Sequence, residues 1–479
     1  MKKFLVMLLV AVLLIAGLCA CQDSKPAEEP KAGFKVGYGR EDITPTESVP
    51  LAGYGNTSRR MCTTDLRRSA DAIYATAIAF TDVDGNSVIL VQTDLFHSFK
   101  HVSDEARALI SQQTGLPREN IMIAGTHTHS APDLDNDEQE SVGRYKTFLV
   151  EKIVKAAKDA MADRKNAEMY VGSINAKNMN FVRHYNLDEG GVVGDNFGSL
   201  LPGTITDHTH EVDNEMQVVR FTRDGGKDVV MMNWQSQLLR SVTISNSKYV
   251  SADIAGVVRD VVEDSMKCLT MYVSGASGNV NPDSRIKSEN ITANYVDQGC
   301  YLADYVITAA REAEKVETGK LQLLAKNYVG QVDHTEDGLA EHAALIAAHW
   351  KQTSSNAECT AMGAPYGINS PYHAEAILEK KDMPQTMDVE MYAFAIGDLA
   401  FITAPYDMFD ENGVYIKDNS PYKMTFITTY CNDHVGFIAS EEGFESDSFE
   451  ANIGYFIKGT AETLAQEYVG MLNQLYAAK

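Results

Sequence analysis

Ile121-Met-Ile-Ala-Gly-Thr-His-Thr-His-Ser-Ala-Pro132 decides how the rest of this chain is read. An apolar run of strand character ends abruptly in two histidines spaced i, i+2, and in extended backbone side chains two apart share a face. The spacing predicts that His127 and His129 point together into one pocket while Thr126 and Thr128 turn away. Paired imidazoles suit a metal ion or a hydrolytic water. The same pattern also serves histidines that only hydrogen-bond a neighbouring loop.

Five other apolar runs share this habit of ending in polar side chains. Val88 to Thr93 ends at Asp94, Val229 to Met232 at Asn233 and Gln235, and Leu269 to Val273 at Ser274 to Asn281. Leu399 to Thr403 leads to Asp407, and Met424 to Thr428 to Asn432 and His434. Ligand crevices of open α/β sheets lie outside the carboxyl ends of their strands, so these ends are expected to converge on one site. Tyr74 to Phe80 and Val88 to Gln92, joined by Asp82-Val-Asp-Gly-Asn86, read as a hairpin. Helices are expected from Ser103 to a stop at Gly115 and Pro117, and over 145–162, 252–265, 293–312, 338–350 and 461–476. The fold class is α/β, with mixed sheets layered against flanking helices in a single large domain.

The amino terminus reads differently. Lys2 and Lys3 precede an apolar run from Phe4 to Leu18, then Leu18-Cys-Ala-Cys21. A charged segment, an apolar core and a small residue before cysteine resemble a bacterial lipoprotein leader. The expected divisions are a signal peptide over 1–20, a tether over 21–34 beginning with lipidated Cys21, and the folded domain over 35–479. That places the protein outside the cytoplasm, anchored to a membrane through Cys21. A net charge of −24, from 66 acidic against 42 basic residues, disfavours nucleic acid as a partner. Cys62, Cys268, Cys300, Cys359 and Cys431 remain for the domain, scattered and odd in number, with a disulfide or two allowed but no zinc-binding Cys-x-x-Cys pair. No marker of an oligomeric state stands in the sequence.

Gly37-Tyr-Gly-Arg-Glu-Asp-Ile-Thr-Pro45, Leu51-Ala-Gly-Tyr-Gly55, Thr93-Asp94, Thr126-His-Thr-His-Ser130, Gly278-Asn-Val-Asn-Pro282 and Gly459-Thr-Ala-Glu462 occur in this order. Together they resemble the N-terminal domain of the neutral/alkaline ceramidase family, from about Val36 to the end. Longer members carry a further C-terminal β-rich domain, and none is expected here. The resemblance implies a zinc-dependent amidohydrolase in which a metal-bound water attacks the amide of an N-acyl sphingoid base or a related acyl amide. His127 matches the first zinc ligand. His129 matches the histidine that touches substrate or oxyanion, and Arg183 an arginine near the reacting group. Asp94 is expected to orient an imidazole from behind.

Other ligand positions depart from the family pattern. Gln237 in Asn233-Trp-Gln-Ser-Gln-Leu238 replaces a histidine, and an amide oxygen is a poor zinc ligand. Asp407 replaces a glutamate. Phe437, Phe444 and Phe449 occupy the region of the ligating tyrosine, without an oxygen. The expected metal set is therefore His127, Asp407 and Gln237, with His208, His210 or His434 as candidate substitutes. A catalytically degenerate lipoprotein that binds lipid or glycan is the competing reading. Serine chemistry is disfavoured because Val273-Ser-Gly-Ala-Ser-Gly-Asn279 does not satisfy G-x-S-x-G, and it lacks the lysine of a phosphate-binding loop. Its glycines are expected to bring backbone close to the crevice, with amide groups facing a substrate.

Overall fold

The hairpin lies within a large sheet. Strands Tyr74–Thr81 and Ser87–Thr93 pair antiparallel, with Ala75 opposite Thr93 and Thr81 opposite Ser87. Asp82 closes the turn by accepting from the Asp84 and Asn86 amides at 2.9 Å. Lys35–Asp42 pairs with Tyr74–Thr81 on the other side and meets Lys165–Asn175, which carries Glu215–Arg223, Val229–Trp234 and finally Leu269–Ser274. Each flank ends in a parallel pair, Ser87–Thr93 with Ile121–Gly125 and Val229–Trp234 with Leu269–Ser274. In this computed structural model the described residues are 33–53, 60–63, 71–135, 139–194, 204–239, 248–282 and 294–479. The expected leader and Cys21 lie outside them. Phe34–Lys479 forms one compact unit.

A second, four-stranded sheet orders Leu321–Gln331, Thr386–Ile396, Leu399–Thr403 and Met424–Thr428. Its inner face packs on the large sheet, where Phe80 meets Phe394 and Phe401 at ring separations of 6.4 and 5.9 Å. Helices cover both outer faces. Lys100–Thr114 and Glu140–Ala162 pack on one half of the large sheet, and Asp253–Met266 and Tyr295–Glu312 on the other. Thr460–Ala477 covers the small sheet. Helix, sheet, sheet and helix thus form layers, each burying the apolar face of its neighbour.

Close approach demands glycine where the first strand meets its helix. A Cβ on Gly37 or Gly39 would stand 1.9 or 2.1 Å from the carbonyl oxygens of Ala160 and Ala156. Gly39→Val is therefore expected to lower stability by about 3 kcal/mol, the upper range for overpacking a filled core. A urea midpoint equal to that of the parent would show that the helix can move off the strand.

Both hairpin strands and all six expected strand runs are present. The helix expected from Ser103 begins at Lys100 instead, because the Ser103 hydroxyl is buried against that of Ser98 and caps nothing. All five cysteines of the unit are free, four of them buried. Among the described residues no helix is long and apolar enough to cross a membrane.

Candidate active site

Two side-chain amides stitch the sheets together where the strands end. Asn233 donates to the Ile427 carbonyl at 2.9 Å and accepts from the Ile427 amide at 3.1 Å. Asn432 accepts from the Ile123 amide at 2.9 Å through its side-chain Oδ1, while its backbone N–H donates to the Ile123 carbonyl at 2.7 Å. Each asparagine supplies the donor and acceptor that a neighbouring strand would otherwise offer. The polar segments after Gly125, Trp234, Ser274, Thr403 and Thr428 are thereby gathered at one place.

His127 leaves the extended conformation, with φ of 65°. The i, i+2 argument from a continuous strand therefore does not hold, since the strand stops at Gly125. His127 and His129 nevertheless meet, at a ring separation of 5.0 Å, and both line one cavity. A left-handed residue costs about 1–3 kcal/mol outside glycine, so the surroundings must enforce it. They do: the imidazole is stacked between Phe96 and Tyr430 at 4.3 and 4.1 Å, and its amide donates to the Leu95 carbonyl at 2.9 Å. Nδ1 lies 2.9 Å from the Phe96 carbonyl, which can only accept, so the proton sits on Nδ1 and the lone pair on Nε2. Burial, against the pull of Asp407, lowers the imidazole pKa to about 4.

Nε2 looks toward Asp407. That carboxylate is buried, with Oδ1 3.7 Å from His127 Nε2 and Oδ2 2.7 Å from His434 Nε2. Burial alone would raise its pKa, but His434, His127 and a hydrogen bond from Tyr430 hold it below the ordinary aspartate value. Oδ1 has no hydrogen-bond partner. His97 stacks on His434 at 4.2 Å behind this group.

Arg183 forms the facing wall. Its Nε donates to the fully buried Glu450, Nη2 to the Gly278 carbonyl at 2.9 Å and Nη1 to Asn281 Oδ1 at 3.2 Å. Gln237 joins it, with Oε1 3.5 Å from Nη1 and Nε2 donating to the Gly278 carbonyl at 3.2 Å. His129 packs on Gly53, where φ is 94° and a Cβ would come within 2.6 Å of the ring. Gly53 thus admits the second histidine to the wall.

Other expectations resolve elsewhere. Asp94 bonds Arg259 at 2.9 and 3.0 Å and accepts from the Tyr74 amide at 2.8 Å, so no contact carries its expected role beside an imidazole. His208 and His210 do not line the cavity, and His210 pairs with Asp410 and Glu442 instead. The Gly275 and Gly278 amides donate to the Trp234 and Met408 carbonyls rather than facing a ligand, although Gly278 does lie against the backbone of Asp407 and Met408. Ser277 shares a 3.1 Å hydrogen bond with Tyr430. Phe437 and Phe449 line the cavity, whereas Phe444 packs beside Phe409 and Ala439. Tyr430 and Glu450 are the additions that the structure makes, while His434, a candidate substitute ligand from the sequence, does reach the cavity beside Asp407. Of these, the run Thr429-Tyr-Cys-Asn-Asp-His434 after an apolar strand carried a readable signal.

The cavity measures about 670 Å³ and combines Phe96, Phe437, Phe449, Tyr372 and Tyr455 with the polar groups at its floor. His127 Nε2 and Asp407 Oδ1 fit a zinc ion as a pair, since tetrahedral donors at about 2.0–2.2 Å stand roughly 3.3–3.6 Å apart. Gln237, tied to Arg183 and Gly278, and Phe449, with no oxygen, do not fit. Among the described residues, the three-donor His/carboxylate group whose ligand atoms all lie within 4.8 Å of one another is a different one, His210, Asp410 and Glu411.

Comparison with known proteins agrees with this architecture. Residues 34–301 match the family described as neutral/alkaline non-lysosomal ceramidase, N-terminal. A neutral ceramidase of Pseudomonas aeruginosa is 24% identical over 301 residues, covering 60% of this chain and 41% of the relative. Neutral ceramidase B of Dictyostelium discoideum is 30% identical over 105 residues, covering 21% of this chain and 14% of the relative. The match therefore spans less than half the length of either. The crystal structure of neutral ceramidase from Pseudomonas aeruginosa superposes with a TM-score of 0.67 at 17% identity, covering 92% of this chain and 74% of that one. That likeness shows a shared fold.

Proposed function

This chain belongs to the neutral/alkaline non-lysosomal ceramidase family, and from that premise we propose that it hydrolyses the amide bond of an N-acyl sphingoid base or a related acyl amide. The observation that carries the reading is the stacked, neutral His127, whose Nε2 lone pair faces a buried carboxylate oxygen at the floor of an aromatic-walled cavity. A zinc ion would be held by His127 Nε2 and Asp407, with His434 Nε2 exchanging its bond to Asp407 for the third place that Gln237 cannot fill. When bound, zinc polarises a carbonyl and brings the pKa of water near neutrality. Arg183, pinned by Glu450, presents positive charge at the wall where an amide oxygen would gain negative charge. His129, beside His127, would contact the same oxygen. Phe96, Phe437 and Phe449 offer apolar surface to an acyl chain and exclude water from it.

The leader and Cys21 support a membrane-anchored, extracytoplasmic lipoprotein, which would bring the cavity close to lipid substrate. Release of fatty acid from N-acylsphingosine in detergent micelles tests the reading. Turnover is expected, abolished by a zinc chelator and restored by zinc. Binding of the lipid without release of fatty acid, whatever metal is supplied, would leave a lipid-binding lipoprotein instead.

A further inference from the structure

We propose that His210, Asp410 and Glu411 form a second divalent-cation site, outside the cavity that contains His127 and Asp407. His210 Nε2 stands 3.0 Å from Asp410 Oδ1 and 3.8 Å from Glu411 Oε2, and one ligand atom from each residue lies within 4.8 Å of the other two. Donors sharing one ion at about 2.0–2.4 Å have this spread. The residues come from segments two hundred positions apart, so sequence proximity does not explain the grouping.

Charge points the same way. Asp410 is fully buried, and Glu411 and Glu442 are partly so. Among the described residues no lysine or arginine pairs with any of the three; the neighbouring Lys417 is committed to Asp213 and Glu215 at 2.6 and 3.0 Å. Packing carboxylates together away from water is costly unless a cation joins them. Here that cation is either a protonated His210, which Asp410, Glu442 and Glu411 favour, or a bound ion that takes its proton's place. Glu442 Oε1 meets His210 Nδ1 at 3.2 Å and so turns Nε2 toward Asp410 and Glu411. A carboxylate behind the distal nitrogen is how ligating histidines are usually held.

An independent observation is His184. It is wholly buried, its Nδ1 has no hydrogen-bond partner, and that nitrogen faces Glu442 Oε1 at 4.0 Å. His184 thus bears, from the protein interior, on Glu442, the carboxylate that orients His210. One nitrogen and several carboxylate oxygens select an ion of borderline softness, zinc or manganese. His210 is 24% exposed, which leaves a path from solvent.

Such an ion would brace the wall of the cavity. Asn279 donates to Asp410 Oδ1 and Glu411 Oε2 at 3.1 and 3.0 Å and accepts from the Asp410 amide at 2.9 Å. The preceding carbonyl, of Gly278, receives Arg183 and Gln237. Fixing Asp410 and Glu411 therefore fixes the loop on which both cavity residues rest.

The test uses the full chain carrying His127→Ala, so that the cavity contributes no ion. Stripped protein is dialysed against zinc or manganese alone, and bound metal is measured by elemental analysis together with the thermal midpoint. One equivalent is expected, with a rise in the midpoint. Both should be lost in His127→Ala/His210→Ala and in His127→Ala/Glu411→Gln, with circular dichroism confirming that each variant is folded. No binding by the His127→Ala chain would overturn the proposal, as would an equivalent retained in both double variants, which marks adventitious metal. Absence of amide hydrolysis would bear on the cavity and leave this result untouched.

Discussion

Arg183→Ala is expected to lower folding stability by about 3–5 kcal/mol, the usual cost of removing one partner from a buried ion pair. Glu450 is fully buried, and the arginine Nε is its charged partner. Burial alone would raise the carboxyl pKa, yet the Arg183 charge and His184 bring it down to about 2. The sign follows from linkage. A carboxyl whose folded value lies below its unfolded value contributes stability that is fully present above about pH 4.5 and disappears as pH falls through about 2. A shift of this size corresponds to about 3 kcal/mol. In the variant the relation inverts, because an unpaired buried Glu450 resists ionisation and the protein should gain relative stability on mild acidification. Urea unfolding of both proteins at pH 7 and pH 5 measures this. Adding Glu450→Gln to Arg183→Ala should recover about 2 kcal/mol by removing the stranded charge. A loss under 1 kcal/mol in the single variant would mean that water reaches Glu450 and that the wall is softer than its burial indicates.

What could be read from sequence follows the range of the interactions. Strands such as Ile121–Gly125 and Leu399–Thr403 declare themselves because wholly buried β-structure needs a continuous apolar run, and that is a local property. His127 and Asp407 were legible as polar residues placed just after such runs, and Gln237 only through the family resemblance. The partners that finish the site come from pairings no local pattern encodes. Asp94 looked like a helper for a histidine, but Arg259, set in the apolar run Val257-Val-Arg-Asp-Val-Val262, reaches across from its helix and takes both carboxylate oxygens. Tyr430 and Asn432 adopt positive φ, as His127 does, and this lays an aromatic face on His127, ties the loop to Ile123 and brings His434 into the cavity. Nothing in a strand-forming propensity forecasts three such turns side by side. His210, one of the candidate substitutes from the sequence, has neighbours that no local pattern could show, because Asp410 and Glu442 arrive from the far end of the chain.

Asp407→Asn is expected to reduce amide hydrolysis by about 10³-fold while leaving the fold intact, a loss equivalent to about 4 kcal/mol of electrostatic stabilisation. The substitution keeps size and shape, so the hydrogen bond to His434 persists through the amide oxygen or with roles reversed. Charge is lost, and with it the carboxylate that His127 Nε2 faces at 3.7 Å. An amide at this position can neither complete a zinc site nor balance the ion, and metal content should fall together with turnover. Asp407→Glu separates charge from reach. If the aspartate stands in for a longer carboxylate, the glutamate variant should bind metal at least as well as the parent and keep measurable hydrolysis. Stability provides the control. The carboxylate lies below its ordinary pKa and therefore adds to stability above about pH 4, so Asp407→Asn should unfold at somewhat lower urea concentration at pH 7 than the parent and converge with it in acid. Full turnover and unchanged metal content in Asp407→Asn would show that the ion, where present, is held without this residue, and the cavity chemistry would have to be rebuilt around His127, His129 and His434.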